Sequence, residues 1–235
     1  MKAAAAKDEL KRLASSEVAS SSARYFKSGP GEYAEGDNFI GVRVPMLRKV
    51  ARDFKQLPIA EIELLLQSTI HEERLLALLI AVHNAMKGDD LYRQSAYELY
   101  CRNVRHVNNW DLVDTSAPVI VGGYLRDKSR QPLVKFAKSS NLWERRIAII
   151  ATQYFIRLGE FEDTLKISKT LLSDGEDLIH KATGWMLREV GKRDESLLIA
   201  FLEEHGACIP RTALRYAIEL FPLEVRNEYL RSTRS

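Results

Sequence analysis

The chain has 235 residues, of which 46% are hydrophobic and 29% charged, and its net charge is +3. That composition supports a sizeable core and excludes a disordered polyelectrolyte, while so mild a charge does not by itself imply a nucleic-acid partner. No apolar run reaches the roughly 18–20 residues of a membrane span.

At the N-terminus, "MKAAAAKDELKRL" starts basic but has no apolar core, because Lys7 and Asp8 interrupt it, so it reads as an ordinary helix rather than a signal peptide. Further on, apolar residues recur at three and four rather than two, which is the helical period. The pattern predicts helices over about 3–14, 16–27, 45–55, 59–67, 71–86, 89–103, 107–122, 130–138, 141–158, 161–172, 176–192, 194–204 and 210–231, the last broken at Pro222. The longest apolar run, "LLALLIAV" at 75–82, reads as buried helix. Ser68, Asp174 and Asp194 are expected as N-caps, and Gly88 and Gly159 as helix stops. The one long irregular stretch is "SGPGEYAEGDNFIGVRVP", 28–45, and loops of that length are often functional. Cys101 and Cys208 lie far apart with no partner motif, which points to a reducing cytoplasmic compartment. His71, His83, His106, His180 and His205 show no ligand spacing with each other or with cysteine, so zinc is not expected.

Aligning the helices exposes a repeat. Arg74, Trp110, Arg146 and Lys181 follow one another at 36, 36 and 35 residues, and Arg211 follows after 30. Each marks an early turn of the second helix of a pair. Paired helices at this period, without strands, predict an all-α fold: a HEAT-like α–α superhelix, or solenoid, whose second helices line a concave groove. One domain over 1–235 is expected, with N-terminal helices over about 1–55 and repeats over about 59–231. Equivalent positions then become neighbours. Trp110, Arg146 and Lys181 form one row, and Asp114, Ile150 and Trp185 form a second one turn further on. Arg188 and Lys192 continue the Lys181 face, as Arg215 continues Arg211. A basic groove with aromatic rings is the footprint expected for a nucleic-acid backbone.

Each residue also has a plainer reading. Trp110 and Asp114 could be a core ring and a carboxylate that caps or pairs locally, and Asp111 could simply favour the positive end of its helix. Arg145 points about 100° away from Arg146 on a helix, and the repeat selects Arg146 for the groove. Trp143 reads as packing.

Five segments carry a family resemblance: "ARYFK" (23–27), "FIGVRVPMLRKV" (39–50), "NNWDLVD" (108–114), "NLWERRIAII" (141–150) and "IHKATGWMLREVGK" (179–192). In this order and spacing the chain resembles the AlkD-like DNA alkylation-repair glycosylases, which are built from HEAT-like repeats. The resemblance implies removal of N3- and N7-alkylated purines from duplex DNA, with no metal or cofactor and without a base-extrusion pocket. It places the catalytic Asp on Asp114, the essential Arg on Arg146, the site tryptophans on Trp110 and Trp185, and a contacting tyrosine on Tyr25. The Gly41–Pro45 segment also matches, and is expected to shape the scaffold. A cytoplasmic monomer, associated with the nucleoid when bound to DNA and without a membrane partner, is the expected form. The alternatives are a non-catalytic repeat protein that binds damaged or branched DNA, and a protein-binding scaffold, since fold alone does not fix function.

Overall fold

Helical periodicity becomes helices along the whole chain. In a computed structural model describing residues 1–232, the chain divides into two compact units, Met1–Tyr124 and Leu125–Ser235; the last three residues of the expected 1–235 domain lie outside the described ones. The first unit contains α1 (Ala3–Arg12), α2 (Ser16–Tyr25), α3 (Val44–Asp53), α4 (Ile59–Leu66), α5 (His71–Lys87), α6 (Asp90–Arg102), a 3₁₀ turn (Val104–His106), α7 (Trp110–Ala117) and a π turn (Pro118–Gly122) that runs into a short turn, α8 (Gly123–Leu125). The second contains α9 (Gln131–Ala137), α10 (Leu142–Ala151), α11 (Gln153–Arg157), α12 (Glu162–Leu171), α13 (Asp177–Gly191), α14 (Glu195–His205), α15 (Arg211–Ala217) and α16 (Leu223–Ser232). Among the described residues there is no strand, only an isolated bridge between Asn38 and Ile70. The fold is all-α, as expected.

In each unit one long helix is the core. α5 packs against α3, α4 and α7, and every residue from His71 to Ala81 is buried. α13 packs against α10, α12, α14 and α15. A Cβ on Gly184 would lie 2.3 Å from the Ala213 carbonyl oxygen, so only glycine lets α13 and α15 approach this closely. α10, α13 and α15 therefore lie side by side, which is the arrangement expected for second helices of successive repeats within this unit.

The head of α5 sets the local architecture. "HEER" is four ionisable residues at the start of a buried helix, and buried charges must be paired or hydrogen-bonded. Glu72 accepts backbone N–H bonds from Ile40 (3.1 Å), Gly41 (2.7 Å) and Val42 (3.3 Å), pinning the end of the long loop. Glu73 meets Lys7 of α1 at 2.8 Å. Gly41 has φ +81°, and a Cβ there would sit 2.0 Å from the Ser15 carbonyl oxygen at the head of α2. The Gly41–Pro45 segment thus shapes the scaffold.

Several boundaries differ from the periodic reading, each for a physical reason. α7 starts at Trp110 rather than 107, because the Asn109 side chain accepts from the Trp110 N–H. Pro118 has no N–H to offer the Asp114 carbonyl, and the chain widens into the π turn there. The helix expected over 141–158 breaks at Thr152, whose hydroxyl and N–H both turn back to the Ile149 carbonyl. Of the expected caps, Asp194 accepts from Leu197 N–H. Asp174 and Ser68 instead accept from residues two further on, Glu176 and Ile70, just outside their helices. Gly88 and Gly159 do follow helix ends, and the chain breaks between α15 and α16 at Pro222.

Replacing Gly41 by alanine combines positive-φ strain with a backbone clash. Gly41→Ala is expected to lower stability by at least about 2 kcal/mol in urea unfolding. A loss near zero would mean that the 39–42 turn relaxes freely.

Candidate functional site

In the first unit the sequence-predicted residues Trp110, Asp114 and Tyr25 can be located together. Trp110 and Asp114 are one turn apart on one face of α7, both half-buried. Tyr25, at the end of α2, is 65% exposed. Its ring lies 5.8 Å from that of Trp110, nearly edge-on. Phe26 is 5.3 Å from Trp110 and 5.0 Å from Tyr25, so the three rings meet in a triangle, and Phe26 stacks parallel to Phe39 at 5.4 Å. Phe39 stacks on the His71 imidazole at 4.7 Å. The result is a cluster of rings centred on Phe26, with Tyr25 exposed on one side and His71 buried on the other.

His71 is the group that sequence reasoning missed. Its Nδ1 lies 3.0 Å from Asp37 Oδ2 and its Nε2 2.8 Å from Asp111 Oδ2. Carboxylates only accept, so both ring nitrogens donate and the imidazole is charged. Arg74 donates Nη2 to the other oxygen of Asp37 at 2.5 Å and Nη1 to the Ser68 carbonyl at 3.0 Å. Burial works against the charge on His71, but the bonds to Asp111 and Asp37 outweigh it and hold its pKa up at about 9, from an ordinary 6.5. Burial also opposes ionisation of Asp37, yet His71 and Arg74 together keep its pKa below the usual value. Asp111 is therefore more than a carboxylate favouring a helix end: it is one arm of a buried ion cluster. The available signal was "HEER" preceding "LLALLIAV", charges that a buried helix cannot leave in water.

The second unit holds the remaining predicted residues. Arg145 donates Nε and Nη2 to Asp174 (2.5 and 3.2 Å) and Nη1 to the carbonyls of Ser139 and Ser140, both at 3.0 Å. Its bond to Ser139 reaches six residues back, as the bond from Arg74 to Ser68 does. His180 likewise donates to the Asp174 carbonyl six residues back, at 2.6 Å. Arg74 is thus the counterpart of Arg145 and not of Arg146, and the repeat register read from sequence is one residue off at Arg74. Arg146 is 5% exposed and donates to the Leu178 carbonyl at 2.5 Å, reaching the first turn of α13. Trp185 is half-buried, whereas Trp143 is buried in the core as expected.

The basic residues differ in their engagement. Lys181 pairs with Asp177 (2.8 Å), Arg188 with Glu219 and Lys192 with Glu189 (2.9 Å). Arg211 donates to the Leu230 carbonyl and ties α15 to α16. Arg215 is exposed. Ion pairs this accessible are worth well under about 1 kcal/mol, so exchanging a carboxylate for a phosphate costs little. Neither Cys101 nor Cys208 is in a disulfide. Among the described residues no helix is long and apolar enough to cross a membrane, and no group of three His, Cys, Asp or Glu side chains could hold a metal ion.

Arg145→Ala leaves the Asp174 carboxylate, 4% exposed, without its guanidinium, and should destabilise the fold by roughly 3 kcal/mol, against about 0.5 kcal/mol for Arg215→Ala; similar losses in urea unfolding would remove the distinction. For His71, a folded-state pKa raised to about 9 from 6.5 means its stabilisation is fully present below pH 6.5 and lost as pH rises through 9, by linkage on the order of 3 kcal/mol. Unfolding midpoints should fall over that window in the wild type and flatten in His71→Gln. Parallel curves would mean that His71 is neutral in the fold.

The sequence model of the DNA alkylation repair enzyme family matches residues 6–221. No curated protein matches the sequence. A solved structure described as a predicted DNA alkylation repair enzyme from Enterococcus faecalis is similar, with a TM-score of 0.72 at 18% identity, covering 90% of this chain and 98% of that one. At that identity the likeness concerns the fold. The match over nearly the whole sequence places the chain in the DNA alkylation repair enzyme family.

Proposed function

We propose that this protein is a monofunctional DNA glycosylase that hydrolyses the N-glycosidic bond of cationic N3- and N7-alkylpurines in duplex DNA. The observation that carries the reading is the half-buried Trp110–Asp114 pair on one face of α7, with the exposed Tyr25 ring against Trp110, in a chain of this family. Alkylation makes the purine a cation and a good leaving group. When the C1′–N bond breaks, its electron pair neutralises the base and positive charge moves to the sugar. Asp114 stabilises that oxocarbenium charge and takes the proton as water oxygen bonds to C1′. The face of Trp110 favours the same cationic centre and excludes water, and the family resemblance gives Trp185 the same kind of role. Arg146 holds a flanking phosphate, and Tyr25, Lys181, Arg188, Lys192, Arg211 and Arg215 supply further backbone contacts that position the duplex. No step in this scheme calls on a metal, a cofactor or an amine nucleophile, and the reading includes lesion selection by charge and lability without base extrusion. The protein acts as a cytoplasmic monomer that reaches the nucleoid through DNA.

The test is release of free base from methylated duplex DNA by wild type and Asp114→Asn side by side. The variant should bind DNA as the wild type does and release base at least about 100-fold more slowly, the scale for losing one electrostatic stabiliser. Arg146→Ala should weaken binding and rate together. Equal rates would remove Asp114 from the chemistry. Intact binding with no release by either protein would favour a non-catalytic DNA-binding role.

A further inference from the structure

We propose that His71 is a positioning residue for the Trp110–Asp114 face: held between Asp37 and Asp111, its imidazolium fixes the first turn of α7 and the rings on which Trp110 rests. The inference rests on the glycosylase reading and extends it to groups that touch no substrate.

Two independent routes lead from His71 to that face. The first is polar. Nε2 holds Asp111, the residue after Trp110 and three before Asp114, at 2.8 Å. The first turn of a short helix frays unless its groups are tied down, and this bond ties it to α5. The second is through rings. His71 lies 4.7 Å from Phe39 and 5.0 Å from Phe26, and Phe26 lies 5.3 Å from Trp110. A cationic ring against aromatic neighbours gains attraction that a neutral one lacks. The far side of His71 is anchored as well. Asp37 takes Nδ1 at 3.0 Å and is itself gripped by Arg74, and the His71 backbone N–H donates to Asn38 at 2.8 Å. His71 is therefore fixed from the loop and from α5, and passes that fixity to α7.

The cluster is closed electrostatically. The charged groups around His71 are Asp37 from the loop, Asp111 from α7, Glu72 and Arg74 from α5, and Arg43 ahead of α3, while burial, together with the charge of Arg74, holds the pKa of His106 in the 3₁₀ turn below the ordinary value. The second helix contributes Val18, Ser22 and Phe26 to the cavity of about 370 Å³ that His71 and Asp111 also line. Only the two carboxylates bond the imidazole, and both require it protonated. Loss of its proton would turn one Nε2–H or Nδ1–H donor into a lone pair facing a carboxylate, releasing one of the two arms. The raised pKa of His71, about 9, puts that release above neutral pH.

The experiment combines single-turnover excision from methylated duplex DNA, binding to undamaged duplex, and nitrogen-15 NMR of the imidazoles and of the Trp110 indole, on wild type and His71→Gln. In the wild type one imidazole should keep both ring protons through pH 8, and that signal should vanish in His71→Gln. The variant should excise about ten- to a hundredfold more slowly, bind undamaged duplex within about twofold of wild type, and shift the Trp110 indole resonance. Wild-type excision should fall as pH passes 9, while the variant rate should not respond there. A folded His71→Gln that excises at the wild-type rate would overturn the proposal. So would a wild-type rate that stays constant while His71 deprotonates. Where His71→Gln does not fold, Asp111→Asn carries the same test: it should slow excision and move the Trp110 indole, and wild-type behaviour would overturn the inference. If the wild type releases no base, the glycosylase reading fails on its own, and the indole resonance still decides: no shift on replacing His71 overturns the positioning role.

Discussion

Four consecutive ionisable residues open a helix that the first unit buries from His71 to Ala81, and the groups around them are arranged to pair with them. His71 takes Asp37 and Asp111, Glu72 takes three backbone N–H groups of the 40–42 turn, Glu73 takes Lys7, and Arg74 takes Asp37 and the Ser68 carbonyl. An unpaired buried charge costs several kcal/mol. One turn of α5 thereby dictates where α1, the long loop and the start of α7 must lie. Apolar packing alone would allow these parts to slide, whereas carboxylate and imidazole geometry does not.

This constraint links scaffold to site. The face carrying Trp110 and Asp114 belongs to a helix of only eight residues, too short to hold its own direction by backbone hydrogen bonding. Its direction comes from both ends: Asn109 and Asp111 at the start, and the Pro118 turn at the finish. In the second unit the equivalent burden falls on Arg145 and Asp174, which hold the turn before α10 to the approach of α13. That division of labour leaves Arg146, the next residue, to reach the first turn of α13.

What could be read from the sequence was local or periodic. The helices followed from apolar spacing, Asp194 from its place before a periodic run, the Pro222 break from the missing N–H, and the burial of Trp143 from its phase. The resemblance to alkylation-repair proteins rested on contiguous segments and held for the family. The His71 cluster was illegible because its partners lie 34 and 40 residues away, on a loop without periodicity and on a helix in the next repeat. Asp111 looked like a cap because a single sequence shows which end of a helix a carboxylate is near, and not what faces it. The one-residue slip at Arg74 arose because Arg145 and Arg146 are adjacent and chemically alike, and only their hydrogen-bond partners separate them. The break at Thr152 depended on a hydroxyl turning back on its own helix, which residue type alone does not announce.

The π turn at Pro118–Gly122 also bears on the spacing of the repeats. From Arg74 to Arg145, matched by their bonds to carbonyls six residues back, is 71 residues, one more than two steps of the 35 that separate Arg145 from His180. A π turn takes up one residue more than the α turn it interrupts. The longer interval contains this π turn, whose wider backbone holds the one extra residue as a local swelling within the helical run. The bulge sits one turn beyond Asp114, where the chain carries an extra residue next to the face that bears Trp110 and Asp114.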